Sequence, residues 1–357
     1  MRNKIIFTGG GSTGHVSVNL ALIPDFIEDG WTVEYIGSKN GIEKQLISNI
    51  NEVKYFSIST GKLRRYFDWN NITDIVKVFT GVFQSYLIIR KSKPNVIFSK
   101  GGFVSFPVVL GGWLNRVPVV LHESDVTPGL ANKLALPFVT IICTTFPETE
   151  KYIHSGKSQY IGSIIRQNLK NGNAIQGLKY CGFVSGKPVL LVMGGSLGSQ
   201  SINLSIRNNL GKLLKKFQIV HICGKGQKDT SIRVKGYKQF EYIEKELPDV
   251  MAISNIVVSR AGANSIFEFL FLQKPMILVP LPQKSSRGDQ ILNAESFKKR
   301  GFCYVIQDKD LCKSDFINTI YDVYENRAKY TENMKKACVT DALNELIKLI
   351  KAKSKSK

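Results

Sequence analysis

Acidic side chains are scarce in this chain. Its 357 residues hold 28 Asp and Glu against 49 Lys and Arg, a formal net charge of +21 at pH 7. An excess of that size suits a negative partner: nucleic acid, an anionic membrane face or a phosphorylated substrate. No run of roughly 18 apolar residues occurs, so no segment reads as membrane-spanning. The opening MRNKIIFTGGG has no apolar core region ahead of its glycines and reads as a strand, not a secretory signal. Cys143, Cys181, Cys223, Cys303, Cys312 and Cys338 never fall within three residues of one another, which excludes a C-x-x-C zinc or redox pair. They are expected to be buried, reduced thiols of a cytosolic protein. No RNP, KH, zinc or helix-turn-helix signature accompanies the positive charge, and aromatics are not interleaved with the basic runs. A nucleic-acid partner is therefore not expected.

What is present is material for ordinary cores, 43% apolar and 10% aromatic residues, over a length that suggests two domains. Short β-branched runs alternate with amphipathic stretches. Strands are expected at Lys4–Thr8, Trp31–Ile36, Val53–Ile58, Val96–Ser99, Val117–His122 and Thr140–Cys143, with helices between them. The rhythm weakens over Ile164–Lys187 and restarts with strands at Val189–Met193, Gln218–Cys223, Phe240–Ile243, Ile256–Ser259, Met276–Pro280 and Cys303–Ile306. This is the pattern of two doubly wound α/β domains, with a ligand cleft expected between them at the strands' carboxyl ends.

Each half begins with a strand running into a glycine-rich turn, TGGGSTGH at 8–15 and MGGSLGSQ at 193–200. Gly9, Gly11 and Gly14 satisfy the G-x-G-x-x-G spacing, and Glu34 follows at the distance of a dinucleotide enzyme's ribose acid. Two features oppose a nicotinamide dehydrogenase: Glu34 is read inside its strand, and the turn ends in His15. No Gly-Lys-Ser/Thr follows, so it is not a P-loop. The second turn offers a phosphate close backbone approach and a helix N-terminus, with Ser196 as a hydroxyl donor. A third turn, SRAGANSIFE at 259–268, opens a helix at Ala263-Asn264-Ser265 and carries Glu268 within reach of a ligand at that N-terminus. A carboxylate there is a bidentate acceptor for two vicinal ribose hydroxyls.

The set GGGSTGH (9–15), KGGFVSFP (100–107), LHES (121–124), GSIIR (162–166), MGGSLGS (193–199), SRAGANSIFE (259–268) and DQ..NA (289–294) resembles the bacterial peptidoglycan glycosyltransferases of family 28 type. The resemblance implies a GT-B fold, two Rossmann-like domains facing each other across a cleft. Residues 1–163 would form the acceptor and membrane-facing domain and 164–337 the donor domain. A helix at 338–357, with a Lys-rich tail, would return to the first. It further implies inverting, metal-independent transfer of GlcNAc from UDP-GlcNAc to the 4-hydroxyl of MurNAc in lipid I, forming lipid II, without a cofactor. No D-x-D is read beside either glycine turn, in agreement. A GT-B enzyme with another lipid acceptor, such as diacylglycerol, is the alternative.

By the same resemblance, Ser12, Thr13, Gly14, Arg166, Gly195, Ser196, Ala263, Asn264 and Ser265 contact UDP-GlcNAc. Ile243 lies against uracil, Glu268 holds the ribose and Gln290 faces the GlcNAc hydroxyls. His15, at a strand-to-helix turn on the ligand side, is the expected general base, since neutral imidazole suits that work near pH 7. His122 and Asp125 are expected on the acceptor side. This sequence has Ser124-Asp125 where many members carry Gln-Asn, which replaces an amide by a carboxylate.

In KLRRYFDWNNITDIVKVFTGVFQSYLIIRKSKP (62–94), Ile75, Val76, Val78, Phe79, Val82, Phe83, Tyr86 and Leu87 make a broad apolar face. Lys62, Arg64, Arg65, Arg90, Lys91 and Lys93 flank it. Either it is buried on its sheet, or it docks with Trp113 on an anionic cytoplasmic leaflet as a peripheral anchor. Members of a cell-wall synthesis complex are candidate further partners.

Overall fold

The computed structural model describes residues 2–61, 70–153, 156–195, 197–283, 286–313, 315–337 and 341–355. Ser196, His154, Cys338 and the basic flank Lys62, Arg64 and Arg65 lie outside the described residues. The chain forms two units, Met1–Ile164 with Thr340–Lys357, and Ile165–Val339.

The first unit contains β1 (Lys4–Thr8), α1 (Ser17–Glu28), β2 (Thr32–Ser38), α2 (Ile42–Ile47), β3 (Lys54–Ile58), α3 (Asn70–Ser92), β4 (Val96–Ser99), α4 (Ser105–Leu114), β5 (Val119–Glu123), α5 (Leu130–Ala135), β6 (Ile141–Thr144) and β7 (Ser158–Tyr160). Its strands form one parallel sheet in the order β3-β2-β1-β4-β5-β6-β7. Residues of one strand serve opposite cores, as the two-residue period of a strand requires. On β1, Ile5 and Phe7 join Phe26, Tyr35 and Phe98 on one face, while Ile6 joins Ile36, Ile97 and Leu121 on the other.

The second unit contains α6 (Ala174–Cys181), β8 (Val189–Met193), α7 (Gln200–Asn208), α8 (Leu210–Lys216), β9 (Gln218–Ile222), β10 (Tyr237–Phe240), α9 (Leu247–Ile253), β11 (Ser254–Ser259), α10 (Ala263–Phe271), β12 (Met276–Leu278), α11 (Asp289–Lys299), β13 (Cys303–Val305), α12 (Asp315–Glu325) and α13 (Arg327–Lys335). Its parallel sheet runs β10-β9-β8-β11-β12-β13. A last helix, α14 (Ala342–Lys353), belongs to the first unit: Leu346, Ile347 and Ile350 enter the core with Phe7 and Phe26, and Asn95 Nδ2 donates to the Lys355 carbonyl at 2.8 Å.

Four sequence expectations need correction. The strand expected at Phe240–Ile243 lies earlier, at Tyr237–Phe240, because Tyr237 and Gln239 are the inward side chains. The weakly patterned stretch before Lys187 holds α6, started by Asn173, whose Oδ1 accepts the Ile175 and Gln176 N–H groups at 2.9 and 3.2 Å, and ended by Gly182 at φ +69°. Strand β7 was not foreseen, since Gln159 and Tyr160 are exposed and leave no apolar alternation to read. Among the thiols, Cys143, Cys181, Cys223 and Cys303 are buried, whereas Cys312 is exposed in the turn before α12.

Helix α3 turns its apolar face outward. Phe79 and Phe83 are 70% and 62% exposed, and Ile75, Val76 and Leu87 are exposed beside them. The inward face carries Gly81, Ser85 and Ile89 instead. A Cβ on Gly111 of α4 would meet Ser85 Cβ at 2.9 Å, and one on Gly81 would meet Pro107 Cβ at 3.4 Å. Small residues on both helices allow this close approach, so the large side chains are left for the outer face. Trp113 and Leu114 on α4 are exposed as well.

Candidate functional site

In each sheet the connections run in opposite directions on either side of one strand pair, and parallel α/β folds hold ligands beyond the carboxyl ends of such a pair. In the second unit the pair is β8 and β11, followed by the segments 194–195 and 197–199 and by 260–262. Gly195 and Gly198 take φ +88° and +76°, which other residues rarely adopt. Ser199 caps α7 by accepting the Ile202 N–H at 3.4 Å. Gly262 stands at the N-cap of α10 and has no side chain to offer its first turn, which comprises Ala263, Asn264 and Ser265.

Arg260 ties these turns together from below. It is buried, and its Nη2 donates to Ser199 Oγ at 2.6 Å and Ser201 Oγ at 3.0 Å. Its Nη1 donates to the Val279 carbonyl at 3.1 Å and pairs with Asp308, which also accepts from Ser201 Oγ at 2.7 Å. Arg260 belongs to the SRAGANSIFE turn, and the sequence by itself suggests no role for it. The available signal was a cation inside the strand-to-helix turn of that motif. Asp308-Lys309-Asp310 is a D-x-D after all, and folding brings Asp308 to the second turn. Its carboxylates are paired with Arg260 and Lys313. Among the described residues no cluster of three His, Cys, Asp or Glu side chains is placed to hold a metal ion.

Arg166 and Glu268 come together. Nε and Nη2 of Arg166 donate to Oε1 and Oε2 of Glu268 at 2.7 and 2.8 Å. Burial disfavours the guanidinium charge, but Glu268 outweighs that, with help from Tyr242 and Glu244, and the pKa of Arg166 lies above its ordinary value. Tyr242 and Glu244 flank the buried Ile243, so this segment, just past β10, neighbours the pair. Gln290, second residue of α11, accepts the Leu281 N–H on Oε1 at 3.1 Å.

In the first unit the corresponding strands are β1 and β4. Ser12, Thr13, Gly14 and His15 form the turn after β1, with Thr13–His15 in a single 3-10 turn. These four share the first unit, while the other described donor candidates share the second. Lys100, after β4, is buried, and its ammonium meets the Ser124 hydroxyl. Burial lowers its pKa, partly offset by Glu123 and Asp125. Glu123 pins the following loop by accepting the Asp125 and Gly129 N–H groups at 3.0 and 2.9 Å and Asn132 Nδ2 at 2.8 Å. His122 is 1% exposed, and its ring nitrogens have no hydrogen-bond partner among the described residues. Burial, then the Lys100 charge, pushes its pKa well below 6.5, so the ring is neutral. Ser124 and Asp125 are the half-exposed members of this run. Glu34 is buried within β2, paired with Lys4 Nζ at 3.1 Å and with the Ser92 hydroxyl, which removes the ribose acid a dinucleotide enzyme would need.

Comparison with known proteins agrees with this architecture. Residues 5–144 match the glycosyltransferase family 28 N-terminal domain and residues 189–351 its C-terminal domain. A protein of Geobacillus thermodenitrificans named UDP-N-acetylglucosamine–N-acetylmuramyl-(pentapeptide) pyrophosphoryl-undecaprenol N-acetylglucosamine transferase is 56% identical over 351 residues, 98% of this chain and 99% of that one. A protein of the same name from Clostridium tetani is 54% identical over 351 residues, 98% of each. The crystal structure of Acinetobacter baumannii MurG, 20% identical, has a TM-score of 0.76 over 99% of this chain and 100% of that one. The fold is GT-B, with two Rossmann-like domains. The chain belongs to glycosyltransferase family 28.

Proposed function

We propose that this chain transfers N-acetylglucosamine from UDP-GlcNAc to the 4-hydroxyl of the N-acetylmuramyl sugar of lipid I, with inversion, forming lipid II for peptidoglycan. The observation that carries this reading is 56% identity across 98% of the chain to a relative named for that transfer. Residues 164–337 take the donor and 1–163 the acceptor.

In this reading His15 accepts the proton of the attacking hydroxyl, whose oxygen bonds to the anomeric carbon as the bond to the β-phosphate oxygen breaks. Charge then grows on departing UDP. Backbone N–H groups at Gly195, the α10 N-terminus at Ala263–Ser265, and Arg166 stabilise it, with Ser196 adding a hydroxyl. Glu268 accepts the ribose hydroxyls, Ile243 lies against uracil, and Gln290 turns its amide to the sugar. Ser12, Thr13 and Gly14 complete the donor contacts. Asp125 and, beneath it, His122 serve the acceptor side.

The exposed α3 face with Trp113 supports a peripheral seat on an anionic leaflet, read here as the cytoplasmic one, beside a membrane-bound acceptor. Arg90 and Lys91 at the helix end add attraction. Among the described residues no helix is long and apolar enough to cross a membrane.

Incubation with labelled UDP-GlcNAc and a lipid I analogue is expected to give the disaccharide product. Labelling of diacylglycerol in its place would favour the other acceptor class, and no transfer to either would overturn the reading.

A further inference from the structure

Glu43 lies outside every motif singled out in the sequence, on the short helix α2, yet it is a fully buried carboxylate with both oxygens engaged. Its Oε1 accepts the Ser38 N–H at 3.0 Å and the Ser38 hydroxyl, and its Oε2 accepts the Gly11 N–H at 3.2 Å. Three glycines make room for it. A Cβ on Gly10 would meet its Cδ at 2.5 Å, one on Gly37 would meet its Cγ at 3.1 Å, and one on Gly41 would overlap its oxygens. The carboxylate thus sits against the first glycine turn, linking the end of β2 to Gly11.

In a dinucleotide-binding fold the N–H groups of this turn receive a phosphate. Here the Gly11 N–H already has an anion of the protein's own, and a phosphate at that point would face a buried like charge. The turn keeps the G-x-G-x-x-G spacing, but at Gly11 the N–H is already taken. What it still carries is His15. Gly10 and Gly11 are held on the other side by Gly102, whose added Cβ would strike the Gly10 carbonyl, and by the Phe103 ring, which lies over Gly11. The backbone leading to His15 is therefore clamped between the Glu43 carboxylate and the turn after β4.

We propose that Glu43 is a positioning residue: an internal counter-anion that occupies the phosphate place of the first glycine turn and fixes the loop that carries His15. This rests on the reading of His15 as general base. Loss of the clamp shifts the base, and a displacement of about 1 Å costs on the order of a hundredfold in rate. The second unit's donor contacts are untouched, while Ser12, Thr13 and Gly14, on the same loop, shift with His15.

The test is a double-mutant cycle in the full chain, reading kcat and the KM for UDP-GlcNAc in transfer to a lipid I analogue. Glu43→Gln presents an N–H₂ to donors that now meet oxygen. It should lower kcat at least tenfold, and by a larger factor than it raises the KM for UDP-GlcNAc, to which Ser12, Thr13 and Gly14 on the same loop contribute. In a His15→Ala background, the same substitution should change kcat less than twofold. Ser38→Ala, which removes one donor and leaves the charge, should show a smaller kcat loss with the same dependence on His15, and it decides the matter if Glu43→Gln does not fold. Unchanged kcat in Glu43→Gln, or equal losses with and without His15, would overturn the role of Glu43 while leaving an impaired His15→Ala to support the base. An undiminished His15→Ala would overturn both.

Discussion

Arg166 and Glu268, 102 residues apart in the chain, face each other as a two-bond ion pair at 2.7 and 2.8 Å. The carboxylate side chain is 9% exposed and the guanidinium 43%, so the acid is set deep and the base covers it from the solvent side. An ionised carboxylate has about four lone-pair sites, and this pair uses one on each oxygen. Glu268 is held in one orientation with acceptor capacity to spare. Glu268→Ala should weaken UDP-GlcNAc binding by about tenfold or more, since hydrogen bonds to charged groups contribute roughly 1.5–3 kcal/mol. Arg166→Lys, which keeps the charge and loses the fork, should weaken it less. Calorimetry checks both, and unaltered affinity in Glu268→Ala would remove it from the donor site.

Phe79 and Phe83 face solvent, so replacing both by serine should leave the melting temperature nearly unchanged, as exposed substitutions usually stay within about 0.5 kcal/mol each. Binding to vesicles of anionic phospholipid should fall, and turnover of a short-chain soluble acceptor should persist. Wild-type binding should also weaken with salt, because the charge component is screened. Vesicle affinity that survives the double substitution would rule out this face as the anchor.

Arg260 joins Ser199, Ser201, Asp308 and the Val279 carbonyl in a buried network. Arg260→Met strands a carboxylate and two hydroxyls. Breaking one side of a buried ion pair costs about 3–5 kcal/mol. Denaturant unfolding should show a loss near the lower end of that range, since Asp308 is partly exposed, and donor affinity should drop with it. A loss below about 1 kcal/mol would show that the turns hold themselves.

His221 is held neutral by burial first and by the Arg207 charge second, its pKa lowered from 6.5 to about 3. It bridges Tyr237 Oη at 2.8 Å and Asn203 Oδ1 at 2.9 Å. The unfolded chain takes up a proton below about pH 6.5 that the folded chain refuses until near pH 3. Stability therefore falls as pH falls through that window, by about 2 kcal/mol at pH 5 from this group alone. His122 acts in the same direction. Denaturant midpoints at pH 7.5 and 5 measure the slope, and the His221 ring proton shift should stay flat between them. A titration in that range would contradict the assignment.

Strand positions were legible because each strand writes its own pattern. Lys4–Thr8, Val96–Ser99 and Val189–Met193 coincide with the expected spans. Strand β7 has no such pattern, and β10 was displaced because an aromatic and an amide, Tyr237 and Gln239, fill the buried positions. The glycine turns were legible as turns. Whether each was open to a ligand was not. Gly11 met an internal carboxylate, and Gly262 opens a helix with no side-chain cap.

By itself the sequence determined the two parallel α/β units and the turns that end their leading strands, because side-chain period and glycine conformation act over a few neighbouring residues. Tertiary structure alone decided which distant charges meet. Arg166 with Glu268, Arg260 with Asp308 and Glu43 with Gly11 depend on strand order, which no local period encodes. It also decided which face of α3 meets water. That face is the apolar one, because Gly81, Ser85 and Gly111 let the two helices close together and leave Phe79 and Phe83 no room inside.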